Sequence, residues 1–127
     1  MDMQDILLWV YIANATLLIN HEIDSAYWHE WELFKLPGGI AGFLLMHFPL
    51  LLLVLYGLVL VAQGTLAGLI ISLVLSLSGL FAFSIHTYFI GRGREEFNTP
   101  MSLFILRATL VVSLVQAALS ILLLAQA

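Results

Sequence analysis

The sequence predicts an all-α integral membrane protein: a four-helix bundle with an interfacial helical extension after its first span. Three observations carry that prediction. Of the 127 residues, 62% are hydrophobic and 9% charged, whereas roughly a quarter of a soluble chain is charged. So small a domain could not hide that much apolar surface from water. Four apolar runs reach the about 20 residues needed to cross a hydrocarbon core about 30 Å thick. A stretch with helical spacing of aromatic residues follows the first run. One transmembrane domain, 1–127, is expected.

The start, MDMQDILLWV, carries two aspartates where a signal peptide needs positive charge, so the first run, about 5–22, is expected to be retained as a span. After it, Ile23, Tyr27, Trp31 and Phe34 share one helical face, and Tyr27, Trp28 and Trp31 suit a membrane interface. Pro37-Gly38-Gly39 ends this extension. The second span covers about 38–62 and the third about 65–90, joined only by Gln63-Gly64, which makes them a tight antiparallel hairpin. In the third, Gly64, Gly68, Ser72 and Ser76 recur every fourth residue, a spacing that lets helix backbones approach closely. Gly38 and Gly42 repeat the spacing at the start of the second. These faces could pack within one bundle or make a homo-oligomer. Pro100 opens the fourth span, about 101–125, where Ser102, Thr109, Ser113, Gln116 and Ser120 form a polar stripe expected to face inward. Lys35, Arg92 and Arg94 all lie in the two longer connections. The positive-inside rule therefore places those loops in the cytoplasm and both termini outside.

Half of the four histidines and half of the eight acidic residues fall between His21 and Glu32. Ionisable groups inside a membrane are costly and point to function. If the first helix continues past residue 22, Asn14, His21, Asp24, Ser25, Trp28 and Glu32 lie within about 100° of one another. Glu22 and His29 flank that face and Glu30 points away from it. His47 and His86, from the second and third spans, fall at a similar depth to His21. His21, His47 and His86 with Asp24 therefore compose a candidate metal site suited to zinc or iron, with Glu22 or Asp24 as a candidate catalytic base. Neither a His-Glu-x-x-His nor a paired Glu-x-x-His spacing is present. His47 also shares its face with Phe43, Leu50 and Val54, away from Gly38 and Gly42. Hydrogen-bonded structural histidines are the plainer alternative, and a haem between His47 and His86 is a third. Arg107 lies opposite the polar stripe of the fourth span, which suits snorkelling to headgroups. Glu30, Glu32 and Lys35 read as solvated interfacial charges.

The order His21, Glu22, Asp24, then Glu30, Trp31 and Phe34 resembles the His-Glu-x-Asp … Glu-Trp pattern of an uncharacterised family of small bacterial four-span membrane proteins. The resemblance implies that His21, Glu22 and Asp24 matter together, and that the chain resides in a bacterial inner membrane. It implies no activity.

Three functions stay open. One is a metal-dependent protein acting on a lipid-like substrate; the second is a structural or interaction subunit built on the small-residue faces. The third is ion transport past His21 and Asp24. The absence of cysteine excludes thiolate chemistry, and a net charge of −4 argues against nucleic acid as partner.

Overall fold

The computed structural model describes all residues, Met1–Ala127. Four long helices, α1 (Met3–Tyr27), α3 (Gly39–Ala62), α4 (Leu66–Gly91) and α5 (Pro100–Gln126), pack together, with a short α2 (Glu30–Leu33) between the first two. Each long helix has the length and apolarity to cross a membrane. This is an all-α integral membrane protein in contact with lipid. α5 packs on α1 and α4, and α3 packs on α1 and α4 from the other side, so the order around the bundle is α1, α3, α4, α5.

Local chemistry starts each helix. Asp2 and Asp5 form a capping box: the Asp5 N–H donates to the Asp2 carboxylate at 2.8 Å and the Asp2 N–H to Asp5 at 3.3 Å. Both negative charges also sit at the positive end of the α1 dipole. Thr65 and Thr99 cap α4 and α5 by accepting from Gly68 N–H at 3.0 Å and Ser102 N–H at 3.1 Å. Gly38, at φ 98°, takes the left-handed turn that launches α3 after Pro37.

α3 has the highest hydropathy of the four spans, 2.5, and the least of its surface buried in the bundle. Leu45, Phe48 and Leu52 on it face outward, as a lipid-contacting helix requires. Its inner edge carries Phe43, His47, Gly57 and Val61. The apolar side on which the sequence placed His47 is thus the side that faces the protein. Leu7, Tyr11, Ala15 and Leu18 of α1 meet Val61, Leu69 and Leu75 in the apolar core. Tyr11 O–H donates to the Val54 carbonyl at 2.6 Å, tying α1 to α3.

The α4 ladder is used within the chain. A Cβ on Gly68 would lie 2.6 Å from the Leu60 carbonyl carbon and oxygen, so α3 and α4 touch backbone to backbone near their turn. Ser72 and Ser76 are fully buried, and the Ser72 hydroxyl bonds Ser120 at 2.8 Å. The polar stripe of α5 faces inward as expected: Ser102, Thr109, Ser113, Gln116 and Ser120 are all buried. Gln116 accepts from Asn14 Nδ2 at 2.7 Å and donates to the Ser72 carbonyl at 2.9 Å, joining three helices. With no water in the bilayer core, polar side chains at this depth must find partners in the protein.

The extension differs from the expected single amphipathic helix. α1 continues to Tyr27, but His29 adopts a left-handed conformation, φ 53° and ψ 53°, and the chain breaks before α2. The break splits the aromatic stripe. Ile23 and Tyr27 are 65% and 74% exposed, while Trp31 is buried against Phe43, with ring centroids 5.5 Å apart.

Candidate metal centre

α1 and α4 each bring one buried histidine to the end of the bundle that carries the longer connections. His21 and His86 are both 2% exposed, with ring centroids 4.5 Å apart and planes nearly perpendicular. His86 Nδ1 lies 2.7 Å from the Ala82 carbonyl, which can only accept, so this nitrogen carries the proton. In the neutral ring the Nε2 lone pair is then free. That atom is buried without a hydrogen-bond partner, as is His21 Nδ1. Fixing a histidine tautomer through a backbone carbonyl is how metal-binding histidines are commonly aimed.

The third group is Glu30. Its Oε1 lies 3.7 Å from His86 Nε2, and its Oε2 is buried and unpartnered. One ligand atom from each of His21, Glu30 and His86 falls within 4.8 Å of the others. Atoms about 2.1 Å from a shared ion are at most about 4.2 Å apart, so small side-chain adjustments would bring all three into bonding range. Leaving such atoms buried and unpaired costs about 1–3 kcal/mol each. A bound cation would satisfy them together, and the residues fit one.

Glu30 is the residue that the sequence reading directed away from the site. A continuous helix would point it outward. The left-handed turn at His29 redirects it, and its side chain is 14% exposed. The sole hint in sequence is weak: histidine tolerates the left-handed region better than most residues.

The other candidates lie nearby in different roles. His47 Nδ1–H donates to the Phe43 carbonyl at 2.7 Å, and its Nε2 meets Glu22 Oε2. His47 is therefore paired with Glu22 and stands apart from the His21–Glu30–His86 group. Asp24 accepts from Trp28 Nε1 at 3.0 Å and keeps Oδ2 buried and unpartnered beside the equally unpartnered Ser25 hydroxyl. It too is outside the convergent group. His29 is exposed, stacked on Trp31 at 4.8 Å. Arg107 is exposed on α5.

Aromatic rings close the site toward the loops. Phe97 is 1% exposed, with its ring 4.2 Å from His86 and 5.5 Å from His21. It reaches inward from a left-handed turn, φ 65°, in the connection between α4 and α5. In sequence that connection reads as polar, and the lone phenylalanine in GRGREEFNTP is the available signal. Phe34 packs on His86 from α2's end at 6.1 Å. Outside the spans, Arg94 grips Glu96 at 2.7 Å and holds its carboxyl below the usual glutamate range.

Away from the loops, the site opens into a cavity of about 400 Å³ between α1, α3 and α4. His21, Glu22, Glu30, His47 and His86 line one end of it, and 13 of its 19 lining residues are hydrophobic. A polar, ligand-rich end on an apolar chamber is the form of a small-molecule site.

No curated protein and no solved structure matches the chain. A family model described as a family of unknown function, DUF6713, matches residues 7–123, nearly the whole bundle with both histidines and Glu30. The chain belongs to the DUF6713 family.

Proposed function

We propose that the protein is a metal-binding protein of the bacterial inner membrane, with both termini outside and the longer loops cytoplasmic. It holds one zinc or iron ion through His21, Glu30 and His86, and it acts on a hydrophobic molecule in the adjoining cavity. The observation that carries this reading is the convergence of buried, unpartnered ligand atoms from three separate elements. Two histidines and one carboxylate leave coordination positions open, as catalytic zinc and non-haem iron sites do. A metal bound there would polarise a substrate oxygen or bring a bound water toward neutral pKa.

The chain's own residues divide the remaining work. Glu22, next to His21 in sequence and bonded to His47, lines the same cavity and is the candidate proton-handling group. Asp24, bonded to Trp28, supports the end of α1. Lys35, Arg92 and Arg94 in the longer connections support the orientation. The interaction-subunit reading loses its main support, because α3 and α5 of the same chain already occupy the α4 ladder.

The test is metal analysis by mass spectrometry on untagged protein purified in mild detergent without chelators. Wild type is expected to carry close to one zinc or iron ion per chain, and folded H21A, E30Q and H86A to lose it. Folded wild-type protein free of metal after reconstitution would refute the reading. So would full metal in all three variants.

A further inference from the structure

The cavity beneath the candidate metal centre has a shape and a charge that select its occupant. Along α4 its lining runs from Ile71 to His86, roughly 22 Å at 1.5 Å per residue. The cavity is thus long for its volume of about 400 Å³, a form that suits an extended hydrocarbon chain lying along α4. The rim is open to the bilayer: Leu50 and Leu53 on α3 and Val74 and Phe81 on α4 are between 46% and 65% exposed. Near the α3–α4 turn the two helices touch at Gly68, so the opening lies farther along the pair, at bilayer depth.

The polar end carries its own restriction. It holds two carboxylates, Glu22 and Glu30, and three histidines, with no lysine or arginine. The chain's four cationic side chains, Lys35, Arg92, Arg94 and Arg107, are all exposed and none lines the cavity. Phosphate headgroups are recognised by arginine and lysine donors, which this end lacks, and its two carboxylates would balance the charge of a divalent ion held there, leaving no net positive charge to favour an anionic head.

We propose that the cavity binds a single-chain amphiphile with a compact, uncharged oxygen head, of the long-chain alcohol or aldehyde class, which enters sideways from the bilayer between α3 and α4. The chain lies along the apolar lining and the head reaches His21, Glu30 and His86. For the role of its head this inference rests on the metal reading; the cavity part stands without it.

The experiment uses the full chain in lipid nanodiscs and a hexadecanol bearing a photoreactive diazirine on its chain, with crosslinks mapped by peptide mass spectrometry. Metal content is measured on the same samples. Crosslinks are expected on residues 50–54 and 71–82. Plain hexadecanol should compete, while palmitate and lysophosphatidylcholine compete at least about tenfold less well, about 1.4 kcal/mol. V74W and S78W, at exposed lining positions, should abolish labelling and keep wild-type metal content. Crosslinks scattered outside the lining would overturn the proposal, as would equal competition by either charged amphiphile. Labelling of the plugged variants at wild-type strength would do the same. If neither tryptophan variant folds, the wild-type competition series decides. Mapped, competed labelling in folded protein that takes up no metal would refute the metal reading and leave the cavity assignment standing.

Discussion

Gln116→Leu tests whether the buried polar network holds the bundle together. Gln116 is fully buried, accepts from Asn14 Nδ2 at 2.7 Å, and donates through Nε2 to the Ser72 carbonyl at 2.9 Å and hydroxyl at 3.0 Å. Side-chain hydrogen bonds between membrane helices average about 0.6 kcal/mol and reach about 1.7. Loss of all three would therefore cost about 2 kcal/mol. Two partners keep other bonds, Asn14 to Ser113 at 3.1 Å and Ser72 to Ser120 at 2.8 Å, which lowers the expected loss to about 1–2 kcal/mol. Leucine is close to glutamine in size, so little void is left. The assay is unfolding in mixed micelles of rising SDS content, followed by tryptophan fluorescence, with N14L and the double variant completing a cycle. Direct coupling predicts that the double variant loses less than the sum of the singles. A Q116L protein as stable as wild type would refute the reasoning. So would single effects that add to within about 0.3 kcal/mol, showing that the Asn14–Gln116 bond contributes nothing in lipid.

Three further variants probe the backbone devices. His29→Asn keeps a residue that tolerates the left-handed turn and should stay within about 0.5 kcal/mol of wild type, whereas His29→Val should cost about 1–2 kcal/mol and, by misdirecting Glu30, lower metal content; equal metal retention in both would separate the turn from the site. Gly68→Ala drives a Cβ to 2.6 Å from the Leu60 backbone and should cost about 1–3 kcal/mol by overpacking, read as an earlier SDS midpoint; an unchanged midpoint would mean that the α3–α4 contact is loose.

Much of the architecture was legible because lipid imposes simple rules. Four apolar runs became four helices, and the serine, threonine and glutamine spacing of α5 identified its inner face, since hydrocarbon leaves polar side chains nowhere else to go. The small residues of α4 announced a close contact without naming its partner: only the assembled chain shows that Leu60, Ser113 and Ser120 fill it. The candidate site was half legible. His21 and His86, which the structure brings together, were singled out in sequence by residue type and depth, which helical periodicity supplies. Glu30 was not, because periodicity fails beyond a break, and no glycine or proline marks the break at His29. His47 and Asp24 share the depth of the site but are drawn into pairs with Glu22 and Trp28. Side-chain pairing of that kind depends on the relative rotation of helices, which a linear pattern does not encode.

The turn at His29 also bears on the order of assembly during biogenesis. His21 and His86 enter the bilayer as parts of α1 and α4, but Glu30 belongs to neither helix and arrives only when α2 docks, with Trp31 against Phe43 and Phe34 against His86. The His21–Glu30–His86 group is complete only after α1, α2 and α4 have all taken their places. A cation captured there would act as a late latch on the finished topology, and a half-inserted chain would have nothing with which to retain it.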